Sequence, residues 1–269
     1  MLVNNTVQKL YDMKLGAMAK AFSDQLQNPA AADLGFEDRF SILVDEEWTA
    51  RRNNLKERLK KTANFAFPHA TIEGIEYRED RRLDKAMITR LATCSYVEEH
   101  HNILLLGATG SGKTYLACAF GSKATHNFHS VRYIRLPELL AELAMARADG
   151  KYNKVLAKYR QVKLLILDEW MLYELSPAGG LLFTYRNGNS YTFKLKETEA
   201  RDVLEIAESR YKKASTIFCS QFEAAGWHQK IGESTLADAV CDRIVHDSYI
   251  IVINGQDSMR KVKGLKAEA

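Results

Sequence analysis

Eight consecutive residues, Gly107, Ala108, Thr109, Gly110, Ser111, Gly112, Lys113 and Thr114, have the types and spacing of a loop built to hold phosphate. Its glycines let successive backbone N–H groups converge on one anion. The Lys113 ammonium is placed to neutralise β and γ oxygens, and the Thr114 hydroxyl can ligate Mg2+. An apolar run, Ile103 to Leu106, precedes the loop, and a helix-permissive segment opens at Tyr115, so the anion would meet a helix N-terminus. The chemistry implied is binding of ATP or a similar nucleoside triphosphate, with Tyr115 counted among the binding residues.

A phosphate loop alone binds; hydrolysis needs acids opposite it. Lys163 to Leu167 reads as a buried parallel strand that delivers Asp168 and Glu169 at its carboxyl end, where open α/β sheets place ligands. Asp168 would hold Mg2+ through water and share the metal with Thr114, while Glu169 would orient or polarise the attacking water. Two acids can also simply end a strand in solvent; the loop upstream favours the catalytic reading.

These residues need a sheet to hold them. Strands are expected at 103–106, 131–135, 163–167, 216–220 and 249–253, alternating with helices at 83–99, from Pro137, at 200–213 and at 236–244. Alternation of this kind predicts an α/β fold, a parallel sheet in a three-layer sandwich. Before residue 70, helical periodicity over 6–26 and 36–61 predicts a small helical bundle, and Phe65 to His69 reads as an extended connector because of Pro68. The expected domains are therefore 1–68 and 69–269.

The chain has 269 residues, enough for one nucleotide-binding core and a small appendage, and 46% are apolar. No stretch approaches the roughly 18 uninterrupted apolar residues of a membrane span. Met1 to Asn5 show no secretory pattern, and Cys94, Cys118, Cys219 and Cys241 lack metal-ligand spacing, so a cytoplasmic protein with reduced core thiols is expected. Net charge is only +4, but Arg51, Arg52, Lys56, Arg58, Lys60 and Lys61 cluster against the single acid Glu57, on a segment whose Trp48, Leu55 and Leu59 share a helical face. Such a run serves as a solvated helix face or as a phosphate-binding surface. At Ser220 and Gln221 two neutral polar residues leave the fourth strand, able either to touch a γ-phosphate or to cap the next turn. Arg243 can pair with Asp238 or Asp242, or act on a neighbouring subunit's nucleotide as an arginine finger.

The assembled motifs resemble the IstB-like AAA+ ATPases, which assist the transposase of an insertion sequence. The resemblance rests on Leu83-Asp84-Lys85, the loop from Gly107 to Thr114, Leu167-Asp168-Glu169-Trp170, and Thr216-Ile217-Phe218-Cys219-Ser220-Gln221. It extends to Leu236-Ala237-Asp238-Ala239-Val240-Cys241-Asp242-Arg243 and Ser258-Met259-Arg260-Lys261. More distantly the chain is similar to the helicase loader DnaC and the initiator DnaA. The resemblance implies Ser220 as a sensor-1 position, Arg243 as an arginine finger acting in trans, and Arg260 as a second arginine at the nucleotide-dependent interface. It also implies a core without a helical lid, a homo-oligomer on double-stranded DNA, and a transposase as partner. DNA contacts are then expected from Arg51, Arg52, Lys56 and Lys60, and from Arg147, Lys151 and Lys154 around the Ala148-Asp149-Gly150 turn. A DnaC-like replicative helicase loader is the alternative. The stretch 176–195 departs from the family pattern; apolar runs flanking Arg186-Asn187-Gly188-Asn189 predict a β-hairpin insertion there, with Tyr185, Arg186 and Tyr191 able to touch DNA.

Overall fold

The structure, a computed structural model, describes residues 2–171, 195–231, 234–255 and 259; most of the expected hairpin and Arg260 lie outside the described residues. The chain divides into two compact units, 1–58 and 59–269.

In the first unit the helix expected over 6–26 is two helices, α1 (Leu2–Asp12) and α2 (Gly16–Gln27), because Lys14 adopts a left-handed φ of 60° between them. The residue before α2, Leu15, has no capping side chain. The cap comes instead from α3 (Phe36–Ala63), whose Glu47 carboxylate accepts hydrogen bonds from Ala17 N (3.0 Å) and Met18 N (3.1 Å). These are the orphan donors of a helix start, and a carboxylate is the favoured partner for them. Helix α3 carries Glu37 and Asp38 in its first turn and Lys60 and Lys61 in its last, charges that match its dipole. Trp48, expected on an apolar face with Leu55 and Leu59, is instead 59% exposed, with the Arg52 guanidinium 5.2 Å from its ring centroid; Leu55 and Leu59 are half-buried.

The unit boundary falls inside α3 rather than after the proline-containing connector. Ala63 and Phe65 are buried in the core of the second unit, where Phe65 lies so close to Gly121 that a β-carbon there would meet its ring at 2.6 Å.

After the end of α3 and the connector, the second unit has two short helices, α4 (Lys85–Leu91) and α5 (Ser95–Glu98), where one helix was expected; Cys94, at a left-handed φ of 68°, breaks it. Asp84 caps α4 by accepting from Met87 N. Then follow β1 (Asn102–Gly107), α6 (Lys113–His126), β2 (Val131–Arg135), α7 (Leu136–Ala148), α8 (Tyr152–Arg160) and β3 (Leu164–Trp170). Beyond residue 194 come α9 (Glu197–Arg210), β4 (Ser215–Ser220), α10 (Ala224–Ile231), α11 (Ser234–Val245) and β5 (Ser248–Ile253). All five expected strands form, and they pair in parallel in the order β2-β3-β4-β1-β5.

Parallel strands covered on both faces are apolar throughout, and successive residues serve opposite layers. Ile103 and Leu105 pack with α4, α5 and α6, whereas Leu104 and Leu106 pack with α7 to α11. The result is the expected three-layer α/β sandwich. Buried Arg210 fastens its lower end. That guanidinium donates to Tyr159 O (2.7 Å), Val162 O (2.8 Å), Thr216 Oγ1 (3.0 Å) and Ser215 O, which ties α8 and the segment entering β3 to the start of β4. Among the described residues no helix is long and apolar enough to cross a membrane.

Candidate nucleotide site

β1 ends at Gly107, whose φ of +152° and distance to Ile253 O, 2.4 Å from where a β-carbon would stand, leave room for glycine alone. The loop closes at Gly112 (φ +96°), and α6 starts at Lys113 with no side-chain cap, so its first N–H groups face the loop's concavity. Lys113 is buried, and its Nζ donates to Gly107 O (2.7 Å) and Ala108 O (2.9 Å), carbonyls of the loop itself. Burial lowers its pKa, because desolvation of the ammonium outweighs the pull of the Asp168 charge nearby. An incoming polyphosphate would supply the charge that is short.

Opposite the loop, β3 presents Asp168, 5% exposed. Thr114 Oγ1 donates to Asp168 Oδ2 (2.8 Å), Tyr133 Oη donates to the same oxygen (2.8 Å), and Glu169 N donates to Oδ1 (2.8 Å). Burial, and then the neighbouring Asp168 charge, push the Tyr133 hydroxyl far up, so it stays a neutral donor. Thr114 and Asp168, expected to share Mg2+, are hydrogen-bonded to each other beside the phosphate loop, and a hydroxyl with a carboxylate is a hard-oxygen donor set that suits Mg2+. Glu169 follows where the pairing of β3 with β4 shifts register between Leu167 and Trp170, and it takes a left-handed φ of 55°. Non-glycine residues in that region are uncommon and cluster at functional sites. Its carboxylate lies 3.8 Å from Arg135, which also pairs with Glu138.

Between the loop and the segment preceding α4 lies a cavity of about 410 Å³, lined by Phe67, Ile75, Arg81, Tyr115, Leu116 and Met259 among others. Arg81 is buried against the loop: it donates to Ser111 O (3.0 Å) and Glu76 O (2.6 Å), and its Nε has no hydrogen-bond partner among the described residues. Met259 N donates to Gly110 O (2.9 Å), which sets Met259 against the loop. None of Phe67, Ile75, Arg81, Tyr133 and Met259 is singled out by the sequence as a site residue: the first four reach the site through packing from elements with no motif of their own, and Met259 stands in the Ser258 to Lys261 motif as the neighbour of the expected Arg260.

The remaining expected residues fare differently. Ser220 is buried in its own turn, donating to Trp170 O (3.2 Å) and accepting from Phe222 N (3.1 Å) and Trp227 Nε1 (3.1 Å), which makes it a turn cap. Its neighbour Gln221 reaches the loop instead, donating from Nε2 to Thr109 Oγ1. Arg243 pairs with neither Asp238 nor Asp242: it binds Glu208 of α9 (2.9 Å) and Ala239 O (2.9 Å). It stands just ahead of β5, at the end of the sheet where Ser248 pairs with Asn102, while the phosphate loop leaves from the opposite end.

Of the expected DNA contacts, Arg147 is held by buried Asp202 (2.6 Å), which also accepts from Tyr152 Oη (2.7 Å). Lys151 pairs loosely with Asp149 (3.6 Å), and Lys154 is exposed; the turn between α7 and α8 forms as expected, with Gly150 at φ +68°. Arg51 is bound to Glu47 (2.7 Å) and Lys14 O (3.0 Å), Arg52 lies over Trp48, and Lys56 and Lys60 are half-buried.

A parallel sheet with its fourth strand inserted beside the first, a phosphate loop after β1 and an acidic pair ending β3 define a P-loop nucleotide-binding protein of the AAA+ type. More narrowly, the chain belongs to the IstB-like ATP binding protein family, which matches residues 8–185 and 190–267. The stretch 176–195 therefore lies within the matched residues except for 186–189. A protein of Sinorhizobium fredii described as an insertion sequence ATP-binding protein is 37% identical over 263 residues, covering 97% of this chain and 98% of its own. The solved structure of DnaI superposes with a TM-score of 0.55 at 21% identity, over 76% of this chain and all (100%) of that one. That of the DnaC helicase loader gives 0.52 at 16%, over 69% and 97%. These likenesses show a fold shared with DnaI and the DnaC helicase loader.

Proposed function

We propose that this protein is an ATP-hydrolysing AAA+ protein that oligomerises on duplex DNA and assists a transposase of an insertion sequence. The observation that carries the ATPase half is the hydrogen bond from Thr114 to Asp168, which joins the loop to the acidic strand as a metal-nucleotide site requires. Its insertion-sequence role rests on family membership and on the name of the Sinorhizobium relative.

In this reading Lys113 leaves the carbonyls of Gly107 and Ala108 for the β and γ oxygens, and the loop N–H groups hold the remaining charge. Mg2+, held by Thr114 and through water by Asp168, would neutralise charge developing between the β- and γ-phosphates. Glu169 orients the attacking water, and Gln221, already at Thr109, meets the γ-phosphate in the role first expected of Ser220. The base enters the 410 Å³ cavity between Phe67, Ile75 and Met259. Arg243, on the far end of its own sheet, serves a neighbouring subunit's nucleotide, with Arg260 as a second interface arginine.

For DNA, Lys151 and Lys154 at the α7–α8 turn form one set of cations, both exposed, with Arg52, Lys56 and Lys60 as a second; phosphate contacts of this kind tolerate many sequences. The test is ATP hydrolysis against protein concentration, with and without a duplex of about 50 base pairs, while oligomer size is recorded. Stimulation by duplex with a steep concentration dependence is expected. A response to single strands or to a helicase, with none to duplex, would replace this reading with that of a loader.

A further inference from the structure

Asp168 is held by more than the phosphate loop. Oδ2 receives two donors, the hydroxyls of Thr114 and Tyr133, each at 2.8 Å, and Oδ1 receives Glu169 N, also at 2.8 Å. A carboxylate oxygen accepts about two hydrogen bonds, so Oδ2 is filled by these two hydroxyls and Oδ1 is the oxygen held less tightly. The buried Cys219 thiol also hydrogen-bonds to the carboxylate, as a weak donor. Tyr133 comes from β2, where it is paired with Ile166, two residues before Asp168 on β3. Its ring is packed in the core below the loop, with Tyr133 only 7% exposed. The hydroxyl therefore cannot turn to solvent for another partner.

From this arrangement we infer that Tyr133 is a positioning residue for Mg2+: its hydroxyl fixes the Asp168 carboxylate so that Oδ1, and not Oδ2, would be the oxygen offered to the metal's hydration shell. Thr114 donates its proton to Oδ2 and keeps its oxygen lone pairs for direct ligation. Tyr133 takes the second site on Oδ2, so the carboxylate cannot rotate to offer that oxygen instead. The inference rests on the nucleotide-site reading above. Partners of metal-binding groups commonly carry about ten- to a hundredfold in metal affinity.

The experiment is a Mg2+ titration of the binding of a fluorescent ATP analogue to the full-length protein and to Tyr133→Phe, which keeps the ring and removes only the donor. We expect the half-saturating Mg2+ concentration to rise about tenfold, while binding in EDTA stays within about twofold. Introduced into an Asp168→Asn background, Tyr133→Phe should shift the Mg2+ midpoint by less than about twofold, since partners in one network are not additive. An unchanged midpoint in the single variant, or full additivity in the double, overturns the role of Tyr133 and leaves the nucleotide site standing. Equal losses with and without Mg2+ also overturn it, as a purely structural effect. A wild-type protein that binds the analogue without regard to Mg2+ overturns the role of Tyr133 alone, and one that does not bind the analogue overturns the nucleotide site as well.

Discussion

At the scale of single residues, Ser220 and Gln221 divide two jobs that their adjacency in the sequence leaves undivided. Removing the Ser220 hydroxyl strips a partner from Trp170 O and Phe222 N, and leaves Trp227 Nε1 with Phe222 O alone, all in or near the core. Ser220→Ala should therefore cost about 1–3 kcal/mol of stability, the range for orphaned buried polar groups, measured by urea unfolding. Gln221→Ala removes a hydrogen bond to Thr109 at the exposed mouth of the site, so stability should hold while hydrolysis falls at least about tenfold with ATP affinity nearly unchanged. A Gln221 variant with full turnover would return the γ-phosphate contact to another group. Lys113→Ala should abolish nucleotide binding, because the buried ammonium is the charge that the loop's N–H groups cannot replace; isothermal titration with ATP reads this directly.

At the scale of elements, two helix attachments depend on carboxylates borrowed from elsewhere in the chain. Glu47 of α3 caps α2, and Arg51, hydrogen-bonded to it, holds its carboxyl below the usual value of 4.5. A depressed folded pKa contributes stability that is complete above the unfolded value and is lost as pH falls through the folded one. The first unit should thus loosen below about pH 4.5, and Glu47→Gln should remove most of that pH dependence and about 1 kcal/mol at neutral pH; circular dichroism against pH checks both. Asp202 does the same for the other attachment, anchoring the α7–α8 turn to α9 through Arg147 and Tyr152. All five strands were legible in the sequence because buried parallel strands are short apolar runs, and the loop and acids were legible because their chemistry demands fixed types in fixed spacing. The helix breaks at Lys14 and Cys94 were not, since neither residue is a glycine or proline and tertiary packing sets both left-handed turns. Tyr133 and Arg81 escaped for a similar reason: a side chain that reaches a site across a sheet or from a connector leaves no periodic or spaced signal.

At the scale of the whole molecule, the sheet separates the two halves of the proposed catalytic apparatus. The phosphate loop leaves the carboxyl ends of the strands and Arg243 precedes the amino end of β5, so no single chain can bring them together. Arg243→Ala should bind ATP normally yet lose turnover by a factor on the order of 10³, and mixing it with Lys113→Ala protein should restore part of the activity, because each supplies what the other lacks. For DNA, replacing Lys151 and Lys154 with alanine should weaken binding to all duplexes alike and flatten the slope of log affinity against log salt by nearly two units, about 0.9 for each phosphate no longer neutralised. The topology also dictates when the protein becomes competent. β1 pairs with β4 and β5 and with nothing earlier, and Thr216 N meets the Asn102 side chain across 114 positions of sequence. On the ribosome, the strand that carries the phosphate loop must therefore emerge long before either neighbour exists, an apolar ribbon with both edges open, and loop closure over such a span is slow. Nucleotide binding is then among the last properties the nascent chain acquires, and a message truncated anywhere before β4 yields a product with no remnant of it.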